Sequence, residues 1–97
     1  MTKFEKYAAL QADFYQYMCI EGGISSKTAS DYVTRLKFLS YDYPLDENIT
    51  KERIEWILRQ EAIKQQNRNT YNSRKSLSDF RSALNKFLLF VQSDFRK

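Results

Sequence analysis

The sequence predicts an all-α protein, a compact bundle of four helices. Its 97 residues include only two glycines and one proline, so few residues favour turns and the chain is expected to form a few long elements. Apolar residues recur at three- and four-residue spacing in four segments, which is the periodicity of helices with one buried face. Seven Phe, seven Tyr and one Trp supply bulky side chains for the core of so short a chain. We therefore predict a single helical domain over residues 1–97.

The first two predicted helices are separated by a short joint that contains both glycines of the chain. Helix one runs from about Phe4 to Ile20 and ends at the Gly-Gly pair, because glycine readily adopts the left-handed conformation that closes a helix. Helix two begins at Ser25 or Ser26, where a hydroxyl can accept from a free amide of the first turn, and it fades near Tyr41. The two apolar stripes consist of Tyr7, Leu10, Phe14, Tyr17 and Met18 in helix one and of Ala29, Tyr32, Val33, Leu36 and Leu39 in helix two.

Helices three and four are predicted to be capped by Thr50 and Ser76. Helix three runs into a polar stretch, residues 65–73, which we interpret as a frayed helix end followed by an exposed loop. The stripe of helix four has the most regular spacing in the chain and consists of Leu77, Phe80, Leu84, Phe87, Leu88 and Val91. Further apolar residues near its end are expected to meet another domain or subunit in part; they are Leu89, Phe90 and Phe95.

The residues needed for most catalytic and metal centres are missing from the sequence. The chain has no histidine, which excludes His-based acid–base catalysis, Ser-His-Asp triads and histidine metal sites. Cys19 is the only cysteine and cannot form an intramolecular disulfide or a cysteine zinc cluster. No glycine-rich phosphate loop is present, and carboxylates such as Glu52 and Glu55 have the spacing of a helix surface. We expect no catalytic centre, metal or cofactor here, and no membrane partner, since no apolar stretch approaches the length of a membrane span.

Positive charge is concentrated in the second half of the chain. Residues 1–48 hold five basic and seven acidic residues, a net charge of −2, whereas residues 49–97 hold eleven basic and five acidic residues, a net charge of +6. The densest cluster is opposed only by Asp79 and consists of Lys64, Arg68, Arg74, Lys75, Arg81 and Lys86. Such a cluster is typical of a surface that binds a polyanion. A solvated basic face without a partner has the same composition, so charge alone leaves both interpretations open.

The region from Arg68 to Asn85 mixes Arg and Lys with Asn, Ser and Thr, the residue types that bond phosphate oxygens and base edges. Within it, Arg74 and Lys75 lie at the start of helix four, where free backbone amides also favour an anion. Ser78, Arg81, Ser82 and Asn85 then continue along a face turned away from the apolar stripe. A second donor cluster includes Lys27 and Thr28 at the start of helix two, beside serines for which capping is the simpler interpretation.

Two helix patterns in the chain resemble those of a known family. The pattern Ser25-x-x-Thr28-x-x-x-Tyr32-x-x-x-Leu36-x-x-Leu39 resembles the second helix of the SAM-like, core-binding N-terminal domain of tyrosine recombinases, the phage-integrase group. The pattern Ser82-Ala83-Leu84-x-Lys86-Phe87-x-x-Phe90 resembles the last helix of that domain. The resemblance extends over nearly the whole chain.

The resemblance implies a DNA-gripping module in a larger recombinase. In that family the four-helix domain grips one face of the recombination site and a separate catalytic domain grips the other, so the tyrosines of this chain are not nucleophiles. It also implies that helices two and four face the DNA. Together with the charge map, this makes the candidate DNA-binding residues Lys27, Thr28, Arg35, Arg68, Arg74, Lys75, Ser78, Arg81 and Asn85. The expected partners are double-stranded DNA, the catalytic domain of the same polypeptide and other recombinase protomers. The protein is expected to be bacterial or phage-encoded, cytoplasmic and associated with the nucleoid.

Two other functions are compatible with a small helical chain. A protein-interaction adaptor would use the apolar end formed by Leu89, Phe90 and Phe95. A small stand-alone enzyme is disfavoured because the sequence has neither histidine nor a loop motif. The basic cluster from Arg68 to Arg81 favours DNA binding over the adaptor.

Overall fold

The computed structural model describes residues 3–67 and 73–93, with side chains at 5–64 and 77–93. These residues form α1 (Lys3–Ile20), α2 (Ser26–Ser40), α3 (Lys51–Asn67) and α4 (Ser73–Gln92), and no strand occurs within them. The fourth helix is central, because it packs against each of the other three, while α1 also packs against α2. The predicted all-α, four-helix architecture is confirmed.

The end of α1 follows the glycine prediction. Gly23 has a φ of 63°, in the left-handed region, and the chain closes the helix there with the Ile24 amide donating to the Met18 carbonyl at 3.0 Å. At Gly22 a Cβ atom would lie 2.9 Å from that same carbonyl oxygen, closer than ordinary packing allows. The two glycines therefore have different tasks, since one permits the turn and the other permits the close approach.

Two of the predicted caps are confirmed and one is wrong. The Ser25 hydroxyl accepts from the Thr28 amide at 3.3 Å at the start of α2, and the Thr50 hydroxyl accepts from the Arg53 amide at 3.1 Å at the start of α3. The fourth helix begins at Ser73, one turn before Ser76, because Arg and Lys favour the helix and extend it toward the N-terminus. The helical part of the predicted 65–73 loop reaches Asn67, and residues 68–72 lie outside the described chain.

The core draws buried residues from all four helices, and its largest side chains form an aromatic cluster between α1 and α4. Phe87 is fully buried and meets Phe14 edge-on, with ring centroids 5.3 Å apart and ring planes at 89°. The Tyr7 ring packs on Phe87 with centroids 5.9 Å apart, and the Phe90 ring packs on Phe14 with centroids 5.5 Å apart. Edge-to-face pairs of this kind add to the free energy gained by burial alone. Phe90 is 1% exposed, so its predicted place on a partner-binding surface is wrong, whereas Leu89 is half-exposed. The remaining residue of that predicted surface, Phe95, lies outside the described residues.

A partly buried hydrogen bond joins α1 to α2. The Tyr7 hydroxyl donates to the Val33 backbone carbonyl at 2.9 Å, while the ring itself is fully buried. Burial raises the pKa of Tyr7 above its ordinary value, so the phenol stays neutral and keeps the proton that it donates. Because a buried donor needs a partner, this bond sets the position of α2 along α1.

We expect Phe87→Ala to lower the free energy of unfolding by about 3–5 kcal/mol, because it removes a fully buried ring and leaves a cavity. Leu89→Ala, two residues along the same helix at a half-exposed site, is the matched control and should change it by about 0.5 kcal/mol or less. Urea denaturation measures both variants. Equal unfolding midpoints for the two variants would contradict the packing described here.

Candidate nucleic-acid interface

The predicted residues of helix two lie on α2 in two groups. Lys27 and Thr28 are exposed in the first turn, and the partly exposed Arg35 follows about 12 Å further along the helix axis. Besides accepting from the Thr28 amide, the Ser25 hydroxyl donates to Thr28 Oγ1 at 3.1 Å. The Thr28 hydroxyl therefore accepts from the cap and keeps its own proton to donate outward.

Arg35 connects α2 to α4. Its guanidinium Nη2 lies 3.5 Å from Asp79 Oδ2, with both side chains about one-third exposed. In the next position of α4, the Phe80 ring stacks on Phe38 of α2, with centroids 6.1 Å apart and planes 10° from parallel. Both contacts cross the same seam, so the residues predicted on helices two and four belong to adjacent helices.

The outer side of α4 carries a polar stripe. Ser78, Arg81, Ser82 and Asn85 are all exposed and lie at i, i+3, i+4 and i+7, which places them on one side of the helix. The opposite side is buried in the core through Ala83, Leu84 and Phe87. The structure thus confirms that the polar residues lie off the apolar stripe. We name the described candidate residues the α2–α4 face: Lys27, Thr28, Arg35, Ser78, Arg81 and Asn85.

Arg81 is held by a carboxylate from the neighbouring helix. Its Nη1 lies 2.7 Å from Glu55 Oε2 and 3.1 Å from Oε1, and both side chains are about half exposed. Arg35 is likewise paired, with Asp79. Each described arginine of the α2–α4 face is therefore paired with a carboxylate of the same chain. Exposed pairs of this kind contribute little to stability, so the guanidinium groups can change partners at small cost.

Three of the predicted residues fall outside the described side chains. Arg68 lies outside the described chain altogether. The backbone of Arg74 and Lys75 belongs to the first turn of α4, whereas a cap at Ser76 would have placed both residues before the helix, and their side chains are not among those described.

A groove between α3 and α4 adjoins the polar stripe. Its volume is about 420 Å³, and its apolar wall and polar rim are formed by Glu55, Leu58, Arg59, Ala62, Leu77, Ser78 and Arg81. Arg59 is exposed at this groove and makes no ion pair with any described carboxylate. Sequence reasoning did not single out Glu55 and Arg59, which the structure places beside the polar stripe. Their four-residue spacing indicates a shared side of α3, but the contact of Glu55 with Arg81 depends on how α3 packs against α4.

Among the described residues, no group of three or more His, Cys, Asp or Glu side chains is placed to hold a metal ion. No described helix combines the length and apolar character that crossing a membrane requires.

Comparison with known families identifies the chain. Residues 12–94 match the family described as phage integrase, N-terminal SAM-like domain. Since the match covers most of the 97 residues, the chain belongs to this family, which is the non-catalytic N-terminal part of integrases and has a recombination-related role. Among curated proteins and among solved structures, nothing matches.

We expect the Arg35–Asp79 ion pair to add less than about 1 kcal/mol to stability, because both side chains are partly exposed to water and salt. A double-mutant cycle with Arg35→Ala, Asp79→Ala and the combination, followed by urea denaturation, measures the coupling free energy. A coupling above about 2 kcal/mol would mean that this arginine is committed to the fold and is not available to a ligand.

Proposed function

We propose that this domain binds double-stranded DNA through the α2–α4 face. The observation that carries the proposal is the exposed stripe of α4, in which Ser78, Arg81 and Asn85 lie on one side of a helix whose other side is core. Short polar side chains flanking an arginine are suited to the major groove, where they can reach base edges. The α2 residues across the seam would contact phosphates, which position a protein on the duplex.

In this proposal the domain is one half of a clamp around a recombination site. The family assignment supports a role in recombination, and catalysis would belong to a separate domain of the same polypeptide. Other recombinase protomers on the same DNA would be further partners. The protein, bacterial or phage-encoded, would act in the cytoplasm at the nucleoid. The adaptor alternative has lost support, because Phe90, one of the three apolar residues it requires, is buried in the core.

The charge of the α2–α4 face bears on the strength of binding. Its two described arginines are already paired with Asp79 and Glu55. To bind these arginines, the phosphate oxygens of DNA must replace the two carboxylates. Exchange of one exposed ion pair for another gains modest free energy, but each phosphate contact also releases counterions from the DNA. We therefore expect weak binding to generic duplexes, with a dissociation constant of roughly 10⁻⁴ to 10⁻⁶ M, and a strong dependence on salt.

We expect the double variant Arg35→Ala with Arg81→Ala to bind a generic duplex more weakly. The negative slope of log affinity against log salt should also decrease in magnitude by about 2, because two phosphate contacts are lost. Fluorescence anisotropy of a labelled duplex at several salt concentrations measures both quantities.

The matched control for this variant is Lys6→Ala with Lys37→Ala. It removes the same charge from α1 and from α2, at two exposed positions that are not part of the α2–α4 face. The control should keep most of the salt dependence. Equal losses in both double variants would indicate that only net charge matters, and would contradict a defined DNA face.

A further inference from the structure

Glu55 lies on α3, outside the two helices that carry the α2–α4 face, yet it makes the shortest contact to that face. Its Oε2 lies 2.7 Å from Arg81 Nη1 and its Oε1 lies 3.1 Å from the same nitrogen. Arg81 is the one basic residue within the exposed stripe from Ser78 to Asn85. A phosphate that approaches this stripe must therefore compete with a carboxylate already in place.

The competing contact is one that DNA can displace. Both side chains are about half exposed, so water and salt weaken their attraction and the pair is not sealed in the core. Both carboxylate oxygens contact a single guanidinium nitrogen, Nη1, so the pair lacks the two parallel N–H···O bonds of the strongest arginine pairs with carboxylate or phosphate. The guanidinium of Arg81 is held toward α3. To bind DNA, Arg81 must exchange the carboxylate oxygens of Glu55 for phosphate oxygens.

A second arginine lies where Glu55 can use it after the exchange. Arg59 follows Glu55 by four residues, one turn along α3, which is the spacing at which a glutamate and a basic residue pair on a helix. Both side chains border the groove between α3 and α4, and Arg59 has no ion pair with any described carboxylate. When Arg81 moves to a phosphate, Glu55 need not remain unpaired.

We propose that Glu55 is a specificity-determining residue that competes with DNA phosphate for Arg81. This inference rests on the proposed function, because it assigns a partner for Arg81 only if the α2–α4 face binds DNA. At a generic duplex the carboxylate holds Arg81 back and lowers affinity. At a site where the stripe of α4 makes further contacts to base edges, those contacts offset the exchange and Arg81 is released.

The test is a set of variants in a duplex-binding assay at low salt. Glu55→Gln keeps the size of the side chain and removes the charge, so it should raise affinity for a generic duplex about two- to fivefold. Glu52→Gln is the matched control, because it makes the same change in net charge at an exposed position one turn earlier on α3. We expect it to raise affinity by a smaller factor.

The decisive comparison repeats both variants in an Arg81→Ala background. If Glu55 acts through Arg81, the advantage of Glu55→Gln over Glu52→Gln disappears there, while thermal unfolding midpoints stay similar. Equal gains from the two glutamine variants in the original chain, or an advantage that persists without Arg81, would overturn the inference while leaving the proposed function intact. A chain that binds no duplex at low salt would overturn both.

Discussion

The contact of Phe87 with Phe14 and Tyr7 is the interaction on which the rest of the structure depends. It fixes the rotation of α4 about its own axis, because the buried rings can face only α1. Once that side of the helix is inside, helical periodicity turns Ser78, Arg81 and Asn85 outward. The Tyr7 hydrogen bond to Val33 fixes α2 against the same helix α1. The position of the candidate interface is therefore a consequence of core packing.

Periodicity and capping chemistry made most of this fold predictable. The stripes of α1 and α4, the glycine joint, and the caps at Ser25 and Thr50 depend on local rules that a sequence displays directly. Ser76 was misread as a cap because serine also serves within a helix, and Phe90 was misread as surface because a helix that is apolar on several sides does not reveal which side is buried. The pairs Arg35–Asp79 and Arg81–Glu55 join residues far apart in sequence, so only the packing of the helices could show them.

Those two ion pairs change the interpretation of the charge map. The formal net charge of +4 and the basic second half indicate a polyanion partner, but the described arginines of the α2–α4 face are each balanced by a carboxylate. A surface of this kind attracts DNA less strongly than the net charge of the sequence indicates. A larger part of any affinity for DNA then depends on polar groups that are complementary to those of the binding site. The family has a recombination-related role. In the proposed function this balance of charge is useful, because a protein that binds one DNA site must distinguish it from the rest of a genome.

The most direct test of this account is an amide NMR titration of the isotope-labelled domain with a generic DNA duplex at roughly 50 and 200 mM salt. The account predicts shifts clustered at residues 27–35 of α2 and 78–85 of α4, decreasing at the higher salt. Shifts that are absent at the lower salt, or that cluster on the outer side of α1, would contradict it, because the surface turned outward by the core would then not be the one that meets DNA.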